Sequence, residues 1–250
     1  MFEYRDVGAD KRTDGSLAAV DRAAQLDDLR ARMAGIQGQV GAEARTPRSA
    51  TDVIAVGGGL GEVLPDGGLA RGSVVNCTGG GYVLLGLLAA ATGAGQSAAV
   101  VGAPRLGLLA FEEMGGDLAR LAHIPDPGPD PLSIVAVLVE GISIVVLAAD
   151  GTALPSRSRA VVARVRSHGA VLVVTSPGWM RPDVRVESRV AGYVGLNKGR
   201  GRLQAVHLDV RVIGRGSPRT ARLALAGTGG GRLCWTQRVE AAPAPLTQTG

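Results

Sequence analysis

Residues 71–88 read RGSVVNCTGGGYVLLGLL, an apolar run, three consecutive glycines and a second apolar run able to open a helix. Strand, glycines and helix in that order are the parts of a phosphate-binding loop. Its G-x-x-x-x-G-K-[ST] pattern uses backbone N–H groups and a helix N-terminus to hold phosphates. Lysine neutralises the terminal charge, and a hydroxyl ligates magnesium. With Gly81 as the last glycine, Asn76 takes the place of the first, Tyr82 that of the lysine and Val83 that of the hydroxyl residue. No other register helps, because Lys11 and Lys198 are the only lysines. A lost charge-assisted contact costs about 1.5–3 kcal/mol, roughly ten- to hundredfold in affinity. Asn76, Gly79, Gly80, Gly81, Tyr82 and Val83 are therefore expected to hold no nucleotide, no cofactor is expected, and ATP hydrolysis is not expected. The alternative is that Gly79–Gly81 only permit a tight strand-to-helix turn. Asp150, after the apolar run ISIVVLAA, stands close to where an acidic residue would approach magnesium. Strand-ending aspartates are common, so it favours neither reading.

Other chemistries find little support. Cys77 and Cys234 are far apart and fit no metal spacing, which points to a reducing compartment. His123, His168 and His207 are isolated. No nucleophile–His–Asp constellation, metal cluster or paired-carboxylate site is evident. The N-terminus MFEYRDVGADKRTDG is too polar for a secretory signal, and no apolar run reaches the roughly 18 residues of a membrane span uninterrupted. A cytoplasmic protein without a membrane partner is expected.

The elements that would position these residues follow from periodicity. At 250 residues and 46% hydrophobic, with mean hydropathy +0.19, the chain can bury a substantial core. VIAV (53–56), SVVNC (73–77), AAVVG (98–102), ISIVVLAAD (142–150) and AVLVVTSP (170–177) read as buried strands. Helices are predicted over 83–92, 105–115, 130–140 and 157–168. Strands buried on both faces and punctuated by helices predict an α/β fold with a mostly parallel sheet. In 203–213 Val206, Leu208, Val210 and Val212 alternate with His207, Asp209 and Arg211, which predicts an antiparallel extension with one exposed face. Upstream, Ser16 can cap a helix over 16–40 whose Leu26, Leu29, Met33, Ile36 and Val40 form one stripe. That stripe docks either on its own core or on a partner. The expected organisation is an N-terminal segment 1–48, a core 49–215 and a partly disordered extension 216–250. Leu223, Leu225 and Trp235 of that extension are candidates to order on binding.

The net charge of +5 rests on arginine, 25 of the 27 basic residues. Between 181 and 222, ten basic residues against three acids give +7, a segment suited either to nucleic acid or an acidic partner, or simply a solvated face.

VIAVGGGLGEVLPDGGLARGSVVNCTGGG resembles the opening of the ATPase core of bacterial RecA. LLAFEEMGGDLARLAHIPDPG, ISIVVLAAD, AVLVVTSP and RVAGYVGLNKGRGRLQAVHLDVRVIG resemble its successive later segments. The similarity covers residues 16–215 and leaves RecA's C-terminal domain without a counterpart. It implies a RecA-like fold with an inactive nucleotide site, most similar to the actinobacterial ImuA-type mutasome accessory proteins. That resemblance implies a noncatalytic adaptor role in SOS-induced, error-prone translesion synthesis. The implied partners are an ImuB-type inactive Y-family polymerase homologue, a DnaE-type polymerase, and RecA itself and single-stranded DNA as further candidates. It also implies that Leu26, Leu29, Met33, Ile36 and Val40 dock a partner, as RecA's N-terminal helix docks its neighbour. VVGAPRLG lacks the acidic residue with which RecA activates water. SPGWMRPDVRVES stands where RecA carries a DNA-binding loop, which makes Trp179, Arg181 and Arg185 candidate DNA contacts; a Trp packed over a loop is the alternative. Lys198, Arg200 and Arg202 stand near where RecA-like proteins present basic residues to a neighbour. Two further readings are an active RecA-like ATPase using Lys198 in trans and a SulA-like division inhibitor. ATP titration and a polymerisation assay, respectively, separate them.

Overall fold

The computed structural model describes residues 52–148, 155–179, 181–196 and 201–237. The helix predicted over 16–40 with its five apolar residues, Asp150, Lys198, Arg200 and the chain beyond 237 lie outside the described residues. By its contacts the chain divides into Met1–Pro47 and Arg48–Gly250, and every described residue belongs to the second unit.

Runs of Val and Ile too apolar to face water build the centre. Strands β3 (Val74–Gly79), β4 (Ala98–Gly102), β6 (Ile144–Ala148) and β7 (Val171–Val174) lie parallel with β5 (Leu121–Ile124) at one edge. Successive residues feed opposite faces, as strand geometry requires. Val100 and Val146 enter one core cluster, whereas Val101 and Val145 enter the other. Helix α2 (Gly81–Gly93) covers the first face with α3 (Leu108–Glu113), whose Phe111 is fully buried. A helix apolar on all sides, as α2 is, must be enclosed on all sides. The short ribbon β1 (Val53–Ala55) and β2 (Gly68–Ala70) and helix α1 (Gly58–Val63) supply residues to that same cluster. On the second face α4 (Pro131–Leu138) brings Leu132 and Val135, and α5 (Pro155–His168) brings Val161 and Val165 at i, i+4 spacing.

Four antiparallel-linked strands complete a nine-stranded sheet in the order β11-β10-β9-β8-β3-β7-β6-β4-β5. β8 (Val184–Val194) pairs parallel with β3 and antiparallel with β9 (Ala205–Ile213). In β9, Val206, Leu208, Val210 and Val212 are buried as their alternation predicts. Asp209 faces the other way, held by Arg189 at 2.6 Å and Arg222 at 3.5 Å from the flanking strands.

The sheet does not stop at residue 215. β10 (Arg219–Gly227) and β11 (Leu233–Gln237) continue it, and Leu223 and Leu225 are core residues directly opposite Leu208 and Val206. Trp235 lies across Gly86 of α2, at van der Waals distance. These three side chains are thus engaged within the fold rather than held in a tail awaiting a partner.

Candidate functional site: a strand-to-helix turn in place of a phosphate loop

β3 lies between β7 and β8, two strands that follow it only after long excursions of chain. Ligands of open α/β sheets bind beyond the carboxyl ends of such strands, so the β3–α2 junction is where a phosphate would be sought. The motif needs its intervening residues out of the sheet, with their N–H groups free to converge. Instead Cys77, Thr78 and Gly79 stay in the ladder, opposite Val186, Glu187 and Ser188. One residue, Gly80, separates the strand from α2. The expected deficit of side chains is joined by a deficit of loop.

Each position has a local cause. Gly79 has φ +102°, and a Cβ there would overlap the Ser188 carbonyl oxygen, so glycine is required for the close approach of β8. The Ser188 hydroxyl donates toward the carbonyls of Thr78 (3.3 Å) and Gly80 (3.4 Å), tying the turn to β8. Asn76 is buried, and its amide donates to the Val174 carbonyl (3.2 Å) and the Ser176 carbonyl (2.7 Å). It latches the end of β7 to β3, while its Oδ1 accepts from no protein group. Tyr82 packs at the margin of the first core cluster, and Val83 lies wholly inside it, so the magnesium-ligand position faces hydrocarbon. Beyond β4, the turn through Ala103 (φ +55°) to Gly107 offers Arg105 and no carboxylate; the nearest following acids are Glu112 and Glu113 on α3. Among the described residues no group of three His, Cys, Asp or Glu could hold a metal ion, and no helix is long and apolar enough to cross a membrane.

Burial pushes the Cys77 thiol up to about 12, whereas Cys234 is exposed. A thiolate is the reactive species. A colorimetric disulfide reagent at pH 8 should therefore titrate one thiol per native chain, Cys234, and two in guanidinium. Rapid native reaction of both thiols would contradict the enclosed β3.

The candidate nucleic-acid residues do not form one surface. Trp179 is buried in the second core cluster, so its ring offers no face for a base to stack on. This corrects its assignment as a DNA contact. Arg181 is exposed, with φ +52°, on a segment tethered by Asp183, whose carboxylate accepts from the Val74 N–H at 2.9 Å. Arg185 is half-buried on β8, and Arg202 is exposed at the far end of the β8–β9 hairpin.

Sequence reasoning passed over that hairpin end. Tyr193, Val194, Leu196 and Leu203 are all exposed there. Their signal was the run GYVGL, apolar residues spaced by glycine inside an otherwise charged segment.

Residues 62–181 match the family described as MT3502 N-terminal domain. The chain is 40% identical over 204 residues to the uncharacterized protein Rv3395c of Mycobacterium tuberculosis, covering 77% of this chain and 93% of that protein. Among solved structures, the RadB recombinase superposes with TM-score 0.50 at 14% identity, over 69% of this chain and 96% of RadB. The flagellar accessory protein FlaH of Methanocaldococcus jannaschii superposes at TM-score 0.48 and 12% identity, over 76% of this chain and all of FlaH. The fold is that of the RecA-like recombinases, and the chain belongs to the family of Rv3395c.

Proposed function

We propose that this protein is a noncatalytic accessory subunit, an ImuA-type adaptor of damage-induced translesion synthesis. It joins an ImuB-type Y-family homologue and a DnaE-type polymerase to RecA or damaged DNA. The observation that carries the reading is the β3–α2 junction, where Gly79 remains paired with Ser188 and a single residue precedes the helix. A RecA-like core arranged this way keeps its surfaces for binding while lacking the means to grip a triphosphate. The basic segment of β8, β9 and β10, with Arg189, Arg211 and Arg222 on the face away from the first core cluster, suits acidic partners.

Co-purification with an ImuB-type and a DnaE-type protein tests this. The full chain should retain both, whereas constructs lacking residues 1–48 or 238–250 identify which end is needed. Removing residues from 216 onward would strip β10 and β11 from the sheet and report only unfolding. A well-folded full chain that captures neither protein would end the reading.

A further inference from the structure

β8 pairs with β3 only as far as Ser188, opposite Gly79, yet runs on to Val194. At about 3.3 Å per residue, the six further residues carry the β8–β9 hairpin roughly 20 Å past the end of β3. The ladder beyond the bulge at Val190 sets Tyr193 opposite Val206 and Val194 opposite Ala205. Extending that register places Leu196 across from Leu203. Four of the eight exposed large hydrophobics among the described residues gather on this projection, with Tyr193 52% and Leu196 56% exposed. Arg202 is exposed beside them. A clustered apolar tip this exposed is atypical of a monomer's surface.

We infer that the β8–β9 hairpin tip is a docking finger that inserts into an apolar, carboxylate-rimmed groove of a partner protein. Shape and charge choose that occupant. A projection needs a concavity, and Arg202 favours a negative rim. A cavity of about 680 Å³ among the described residues is lined by Arg189, Arg219 and Arg222 as well as Glu62 and Asp209, a poor receptor for a basic finger, which speaks against a second copy. Three of the four apolar residues are aliphatic, and bases stack on aromatic rings, which speaks against single-stranded nucleic acid. The inference rests on the adaptor reading for the identity of its partner and adds the surface that reading lacks.

The experiment measures binding of the purified ImuB-type protein to the full chain and to two variants. Leu196→Ser/Leu203→Ser should weaken binding at least tenfold while the melting temperature stays that of wild type, because both side chains are already in water. Leu109→Ser, on α3 and 70% exposed, should leave affinity unchanged. Equal affinity of wild type and the hairpin variant would overturn the finger and leave the adaptor reading standing. No binding by wild type would remove both. If the hairpin variant instead loses affinity for a 20-nucleotide oligo(dT), for phosphatidylglycerol vesicles or for itself in sedimentation, the occupant is of another class and the inference fails.

Discussion

A Tyr82→Lys/Val83→Thr variant, which rebuilds the side chains of a phosphate loop, should bind ATP–magnesium no better than wild type. Both should be silent in isothermal titration at millimolar nucleotide. A lysine contributes about 1.5–3 kcal/mol to such a site, but only beside backbone N–H groups already turned toward the phosphates. Here Cys77, Thr78 and Gly79 are committed to pairing with β8, and the turn consists of Gly80 alone. Freeing them would unpair the end of β3 from β8, the strand that joins the parallel half of the sheet to the antiparallel half. Threonine at position 83 carries its own penalty, since that side chain is fully buried among α2's core contacts. An unpartnered hydroxyl there costs about 1–3 kcal/mol, so the variant should also melt below wild type. Micromolar ATP binding by the double variant would show that charge alone was missing, and the strand-paired turn would lose its explanatory role. Micromolar binding by wild type would revive the ATPase reading outright.

The parallel half of the sheet was legible because it is buried on both faces. Continuous Val/Ile runs have few other homes, and β4 falls where AAVVG predicts it, at 98–102. The alternation across 203–213 likewise identified β9 with its inward Val206, Leu208, Val210 and Val212. β10 escaped notice because Leu223 and Leu225 alternate with Ala224 and Ala226 rather than with charges, so the period of two lost its contrast. Trp179 was ambiguous for another reason. A Trp between glycine and arginine suits a base-stacking loop or a core lid equally, and only the packing against the second cluster decides.

The site itself was half legible. Missing charge is a property of residue types, so Tyr82 and Val83 announced it. Missing length is a property of register with β8, more than a hundred residues away, and nothing local encodes it. The glycines compounded this, because glycine serves both a turn and a close backbone approach. The prediction ended β3 at Cys77 and read Gly79–Gly81 as one loop. In the fold, Gly79 belongs to the strand, Gly80 caps and Gly81 opens α2. Three identical letters have three different structural roles.

That division gives the second large effect. Gly79→Ala should destabilise the protein by about 4 kcal/mol, the sum of backbone strain at φ +102° and the displacement of a neighbouring strand. The added methyl would overlap the Ser188 carbonyl oxygen, which is backbone in a paired strand and has no rotamer to escape through. Relief would require β8 to move from β3, loosening the Ser188 hydroxyl bonds to Thr78 and Gly80. For a domain of this size, each kcal/mol corresponds to roughly 2–4 °C, so the melting temperature should fall by roughly 8–16 °C. Gly81→Ala is the matched control two residues away. A Cβ there meets nothing within 4 Å, and the position is helical. It should therefore hold or gain stability, by up to about 1 kcal/mol. If the tract were a flexible phosphate loop, all of its glycines would tolerate alanine alike, and the two variants would melt together. Divergence in opposite directions identifies a rigid junction, with the β8 hairpin anchored at its base and free to project from it.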